Sequence, residues 1–213
     1  MNVSKPVFIT GIGTEVGKTV VAAIVTEALG AVYWKPVQAG FSEGTDTEWV
    51  AGRLSRPRVL TETYKLAFPA SPHIAARGEG IVISLDRIAE AMPADRPLVI
   101  EGAGGLLVPL NEKEFVLDLV KRLDARVILV SRNYLGSINH SLLTAAVCRD
   151  QGLDVAGWIF NDQYLDYEQE IAAWTALPVI ASIPFIQDPD EAFIAEQAQR
   201  IRPRLEACLL ASA

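Results

Sequence analysis

Cysteine and histidine are scarce. With only Cys148 and Cys208, the chain can hold neither a disulfide framework nor a cysteine-built zinc cage, and the pair fits a reduced, cytoplasmic compartment. His73 and His140 leave little scope for a histidine-rich metal site. Basic residues are also in deficit: 19 Lys and Arg against 26 Asp and Glu give a formal charge of -7. That balance argues against general attraction to nucleic acid or to an anionic membrane. Long apolar runs are missing as well. A spanning helix needs about 20 apolar residues, and the best stretch, residues 20–32, is interrupted by Thr26, Glu27 and Gly30. The opening run, residues 1–11, turns strand-like and meets a glycine too soon to read as a secretory signal. No repeat, low-complexity segment or long linker divides the 213 residues, so a single domain spanning 1–213 is expected. Half of the residues are hydrophobic and 21% are charged, as a chain with a sizeable buried core requires.

What is present is an alternation of short β-branched runs with longer helical patterns. Strands are expected over residues 6–10, 32–36, 97–101, 126–131, 155–160 and 178–181. Helices are expected over 18–29, 45–54, 85–92, 115–123, 137–151, 167–176 and 190–210. Thr45 or Asp46 stands near one N-cap, Ser84 caps another, and Gly30 and Gly152 close two more. Pro203 predicts a kink or break in the last helix. Residues 56–80, with three prolines and little periodicity, read as the least regular stretch. Strand-helix alternation of this kind predicts an α/β fold, a mostly parallel twisted sheet with helices on both faces.

The strongest motif is Gly11-Ile-Gly-Thr-Glu-Val-Gly-Lys-Thr19, between the first strand and the first helix. Glycines let backbone N–H groups converge on an anion, and the helix N-terminus adds its dipole. Lys18 can reach the β and γ phosphates, and the Thr19 hydroxyl can ligate Mg²⁺. The usual P-loop places glycine six residues before the lysine. Ile12 stands there, and Gly11 lies one residue further back, which points to a P-loop NTPase subclass.

Mg²⁺ takes hard oxygen ligands, commonly one or two carboxylates besides phosphate. Glu101 ends a buried strand and is followed by Gly-Ala-Gly-Gly, so it faces a ligand crevice or a salt bridge. Asp46 reads either as a second carboxylate ligand or as a helix cap. Lys35, in a run of Val, Tyr, Trp and Pro, is costly unless its charge meets a partner. Beside the P-loop strand it would bring a second cation to the reacting phosphate. Asn161-Asp162 follows a strand and reads as a base-binding amide or an ordinary turn. His73 reads as substrate-facing or packed, and Cys148 as a core thiol.

Together these residues resemble the dethiobiotin synthetase family. The resemblance covers nearly the whole chain and rests on the glycine loop, Lys35-Pro-Val with Gly40, Ser71-Pro-His-Ile74, Glu101-Gly-Ala-Gly-Gly105, Leu135-Gly-Ser-Ile-Asn-His140, Gly157-Trp158, Asn161-Asp162 and Ile183-Pro-Phe185. It implies a cytoplasmic homodimeric ligase of biotin biosynthesis that uses ATP, Mg²⁺, 7,8-diaminononanoate and CO2 or bicarbonate, with neither nucleic acid nor membrane as partner. A substrate amine would become a carbamate, which attacks the γ-phosphate, and the second amine would close the cyclic urea. By the same resemblance Lys18 and Lys35 are catalytic, and Thr19, Asp46 and Glu101 hold the metal. Glu15, Val16, Gly17, Lys18, Thr19 and Val20, with Gly102, Ala103 and Gly104, wrap the phosphates. Asn161, Asp162, Pro184, Phe185 and Ile186 take the base and ribose. Thr14, Lys35, Ala39, Gly136, Ser137 and Asn139 meet the substrate.

Two positions depart from the family pattern. Ala39 stands where serine is common, so Thr14 or a water is expected to substitute for its hydroxyl. Tyr134 stands where lysine is common. The rival reading, a partitioning-type switch ATPase, calls for a second lysine early in the loop, where Ile12, Gly13 and Thr14 stand. Its basic amphipathic tail is poorly matched by Arg200, Arg202 and Arg204, which are surrounded by Glu191, Glu196 and Glu206 and interrupted by Pro203. An amidotransferase synthetase would need a glutaminase domain that 213 residues cannot hold.

Overall fold

A computed structural model describes residues 5–162 and 164–210. The reading of the opening run as no secretory signal rests partly on residues 1–4, outside the described residues. In chain order the elements are β1 (Val7–Gly11), α1 (Lys18–Leu29), β2 (Val32–Trp34), β3 (Val37–Ala39), α2 (Asp46–Ala51), β4 (Val59–Leu60), β5 (Tyr64–Leu66), α3 (Pro72–Gly78) and α4 (Leu85–Ala91). There follow β6 (Leu98–Gly105), α5 (Val116–Arg122), β7 (Arg126–Arg132), α6 (Ser137–Asp150), β8 (Val155–Asn161), a 3-10 turn (Tyr164–Asp166), α7 (Glu168–Thr175), β9 (Val179–Ile183) and α8 (Glu191–Leu210).

Seven strands form one parallel sheet in the order β4-β2-β6-β1-β7-β8-β9. All five residues of β1 are buried, and it pairs with β6 on one side and β7 on the other. A strand enclosed on both faces must be apolar throughout, which explains Val7-Phe-Ile. Alternate residues feed two cores. Val7 and Ile9 join the side chains of α1 and α8, whereas Phe8 joins those of α3 to α7. Helices therefore cover both faces, as expected, and the glycine loop emerges at the C-terminal end of the central strand.

The irregular stretch is more ordered than its sequence suggests. Residues 56–80 contain β4, β5 and α3, the last opened by Pro72 at its first turn, where a missing N–H costs nothing. Pro36 ends β2, and the chain then forms β3, which pairs with β5 in a separate two-stranded sheet. The Pro36 carbonyl accepts the Tyr64 N–H at 2.9 Å, joining the two sheets at that point. Neither strand was visible as a periodic pattern, because each has three residues.

The cap of α2 is Thr45, in a reciprocal capping box. The Glu48 N–H donates to Thr45 Oγ1 at 3.1 Å, and the Thr45 N–H donates to Glu48 Oε2 at 2.8 Å. Ser84 caps α4 as its sequence predicts. The expectation for Pro203 is corrected in part. Helix α8 continues through it without a break, because the ring lies on the exposed side while Ile201 and Leu205 hold the buried face. Pro203 nevertheless removes one backbone donor from the helix. Pro203→Ala is expected to stabilise the protein by up to about 3 kcal/mol, read as a higher urea midpoint. An unchanged midpoint would mean that the helix already bends there and relieves the ring.

Candidate active site

The glycine loop, residues 11–17, is anchored before it turns: the Ile12 N–H donates to the Val130 carbonyl of β7 at 3.0 Å. It ends at Gly17, whose φ of 86° is left-handed, and a Cβ there would overlap the side-chain amide of Asn161. Only glycine meets both demands. Lys18 folds back over the loop, its ammonium donating to the Gly13 carbonyl at 2.7 Å. Burial, helped by the charge of Lys35, lowers the Lys18 pKa to about 8 against the pull of Glu101 and Asp46.

Beside the loop, β2 lies against β6 with Tyr33 opposite Val99. Glu101 is two residues beyond Val99 and Lys35 two beyond Tyr33, so alternation sends all three polar side chains to the α1 face. Glu101 is 1% exposed. Its Oε1 accepts from the Thr19 hydroxyl and the Lys35 ammonium, each at 2.9 Å, and its Oε2 accepts from the Tyr33 hydroxyl at 2.7 Å. Lys35 is also buried and forms a second, short ion pair with Asp46. Burial alone would lower its pKa, but the charges of Glu101 and Asp46 outweigh it and hold the lysine above its ordinary value. Burial and then the charge of Glu101 push the Tyr33 phenol well above its usual range, so it remains a donor.

Since Thr45 supplies the cap, the Asp46 carboxylate is released for Lys35. Gln38 fixes the position: its Oε1 accepts the Asp46 N–H at 3.3 Å and its Nε2 donates to the Gly40 carbonyl at 2.9 Å. Thr19, Asp46 and Glu101 thus converge on one small region where a cation, the Lys35 ammonium, already bridges two carboxylates. Hard oxygens around a cationic position suit Mg²⁺, which completes its shell with water and phosphate. Among the described residues no group of three or more His, Cys, Asp or Glu could hold a metal by itself.

These groups open into a cleft of about 910 Å³. Glu15, Gly17, Lys18, Thr19 and Val20 line it, as do Glu101, Ala103 and Gly104. Asn161 and Pro184, Phe185 and Ile186 form its far end, and Thr14 and Ala39 stand at its wall with Lys35. Val16 and Asp162 instead line an adjoining hollow of about 510 Å³ with Arg132 and Tyr134. Gly102 faces neither space and is packed against the Phe8 ring. Asn161 spends its Nδ2 on the Val16 carbonyl at 3.2 Å, which leaves its oxygen for a ligand. His73 lies outside the cleft, its Nδ1 3.1 Å from the Ser71 hydroxyl, while Ser71 and Pro72 line it.

Gly136, Ser137 and Asn139 line neither space of this chain. Gly136 and Asn139 are exposed, whereas Ser137 is fully buried. The Ser137 N–H donates to the Tyr134 carbonyl at 2.9 Å and its hydroxyl accepts from the Tyr134 N–H at 3.3 Å. The Ser137 N–H and hydroxyl are therefore both engaged, and the residue closes the turn into α6. Tyr134 hydrogen-bonds through its hydroxyl to His140 Nδ1 at 2.6 Å.

Comparison with known proteins places this geometry. The sequence matches the AAA domain family over residues 5–192. It is 46% identical over 204 residues to the ATP-dependent dethiobiotin synthetase BioD of Christiangramia forsetii, covering 94% of this chain and 98% of that one. It is 50% identical over 159 residues to the BioD of Cytophaga hutchinsonii, covering 74% and 77%. The chain belongs to the ATP-dependent dethiobiotin synthetase family. Among solved structures it resembles a ParA family ATPase from Chlorobium tepidum at TM-score 0.58, over 97% and 98% of the two chains. It also resembles the MinD cell division protein of Aquifex aeolicus at 0.56, over 99% and 98%. Identities of 14% and 15% make that a likeness of fold alone.

Within this synthetase scaffold the sequence reading passed over Tyr33 and Gln38. Tyr33 looked like ordinary strand filler, and Gln38 is a neutral residue whose role depends on where α2 begins. A buried lysine two residues from a buried tyrosine was the only available signal.

Lys18→Met is expected to raise the melting temperature of the nucleotide-free protein at pH 7, while nucleotide binding is lost. Below pH 8 wild-type Lys18 carries a charge that burial penalises. As pH rises through about 8 the folded protein sheds that proton before the unfolded chain does, so wild type gains stability and the variant's advantage narrows. Thermal scans from pH 6.5 to 9.5 check this. An advantage that stays constant or grows with pH would contradict the assignment.

Proposed function

We propose that this chain catalyses the ATP-dependent carboxylation and ring closure of 7,8-diaminononanoate with CO2, giving dethiobiotin, ADP and phosphate. The observation that carries the reading is the convergence of Lys18 and Lys35 with Thr19, Asp46 and Glu101 at the glycine loop, in a chain whose 46%-identical relative bears the dethiobiotin synthetase name. An amine of the substrate adds to CO2 and loses a proton to become a carbamate. A carbamate oxygen attacks the γ-phosphorus, and ADP leaves. The second amine then attacks the carbamate carbon, phosphate leaves, and the five-membered urea closes.

The phosphoryl-transfer step needs positive charge more than acid or base. An anionic carbamate must approach a polyanionic triphosphate, so preorganised cations have most to contribute. Lys18 grips the β and γ phosphates in the ground state. Lys35, held at the mouth of the loop, meets the charge that develops on the transferring phosphoryl group. Thr19, Asp46 and Glu101 would hold Mg²⁺, which when bound neutralises phosphate charge and orients the leaving group. Glu15 to Val20 and Gly102 to Gly104 wrap the phosphates, with Gly102 acting by allowing close packing. Asn161, Asp162, Pro184, Phe185 and Ile186 receive the base and ribose. Thr14, Ala39 and Lys35 face the substrate.

The enzyme is proposed to act as a cytoplasmic homodimer of single-domain chains, with neither nucleic acid nor membrane as partner. Leu135, 88% exposed, and Leu143 project from the α6 region beside Gly136 and Asn139, which fits burial against a second copy. In that arrangement Gly136, Ser137 and Asn139 would complete the partner's substrate site, with the Ser137 hydroxyl shaping the turn. No helix among the described residues is long and apolar enough to cross a membrane.

Phosphate release is expected to require both diaminononanoate and bicarbonate, because the attacking oxygen belongs to the carbamate. Hydrolysis of ATP at full rate without substrate would favour the switch-ATPase reading instead. Lys35→Ala is expected to lower turnover about 10²–10³-fold with a smaller change in ATP affinity. Near-normal turnover would remove it from the catalytic set. For the shared site, mixing Lys35→Ala subunits with Asn139→Asp subunits should restore part of the activity once they exchange, since one intact site re-forms. Demonstrated exchange without recovery would put both residues in one subunit's site.

A further inference from the structure

We propose that Tyr33 sets the ion preference of the site: it ties off one oxygen of Glu101, so this carboxylate meets a cation through its other oxygen alone. The proposal rests on the reading above that Glu101 helps to hold Mg²⁺. It concerns a residue that touches neither nucleotide nor substrate and acts through Glu101, as a positioning residue.

Tyr33 is the middle residue of β2 and is fully buried. Strand register places it opposite Val99, two residues before Glu101 on the same face, with its hydroxyl against the carboxylate. The two Glu101 oxygens then have separate duties. Oε1 is shared by Thr19 and Lys35, the groups that line the cleft. Oε2 accepts from Tyr33 at 2.7 Å, and Tyr33 does not line the cleft. With Glu101 itself 1% exposed, no bulk water is at hand to take over the phenol's bond.

This division discriminates between ions by their coordination. Mg²⁺ prefers an octahedral shell of single oxygen donors at about 2.0–2.1 Å, whereas Ca²⁺ takes about 6–8 oxygens and often draws both from one carboxylate. Glu101 can give one oxygen without disturbing Tyr33. To give two it must break the phenol's hydrogen bond and leave a buried O–H without a partner, which is costly. The penalty falls on the larger ion.

The test uses the full chain with a non-hydrolysable ATP analogue, titrated calorimetrically with Mg²⁺ and, separately, Ca²⁺. Tyr33→Phe removes one hydroxyl from the core and keeps the ring. The ratio of Ca²⁺ to Mg²⁺ affinity is expected to rise about tenfold over wild type, the size of one hydrogen bond to a charged group. The ions' own affinities for the nucleotide cancel in that comparison. The ratio, taken on one preparation, does not depend on the folded fraction, so a packing defect alone would not move it. Tyr33→Met, which also lacks the hydroxyl, should shift the ratio in the same direction. An unchanged ratio in both variants overturns the proposal and makes Tyr33 a packing residue. Glu101→Gln separates the two levels: it should weaken both ions. If it weakens neither, Glu101 is no ligand, and the metal assignment falls together with the proposal.

Discussion

Burying a carboxylate is ruinous for a protein core unless cations and hydrogen-bond donors come in with it, and at Glu101 they come from two segments distant in the chain. Lys35 arrives from the end of β2, Thr19 from the start of α1, and Tyr33 from within β2. Asp46, at the start of α2, then balances the other side of Lys35. None of the Glu101 contacts is local in sequence; Thr19 and Glu101 are 82 residues apart. The network therefore forms only if β6 lies between β1 and β2, the order that the sheet adopts. The charged cluster is thus tied to the strand order of the sheet.

Much of this was legible beforehand, for physical reasons that can be named. Buried parallel strands read as apolar runs, and helices that begin after Gly17 or Ser84 carry their own punctuation, so the long elements fell within a few residues of their positions. The glycine loop was legible because its glycines, lysine and threonine form a contiguous pattern between a strand and a helix. What escaped is equally specific. β3 and β5 are too short to carry periodicity, and their pairing depends on Pro36 halting β2. Pro203 was read from its local cost, but the buried face of α8 on either side of it keeps the helix continuous. In each case a tertiary partner decided the matter.

The likeness to the ParA family ATPase and MinD structures is one of fold alone. The same overall fold serves proteins of quite different names at 14% identity. In this chain the side chains gathered near the loop include Lys35, paired with Asp46, and Gln38, which holds the first turn of α2 in place. They lie in the segment after β2 and at the start of α2.

The contact of Gly17 with Asn161 has a mechanical consequence. The end of β8 is strapped directly to the phosphate loop, Asn161 Nδ2 on the Val16 carbonyl, across 145 residues of sequence. The wall proposed to receive the base and the loop proposed to receive the phosphates are therefore two jaws of one rigid caliper. Parting the jaws would break that one amide hydrogen bond, so the gauge length between them is set by a side chain that reaches from one to the other.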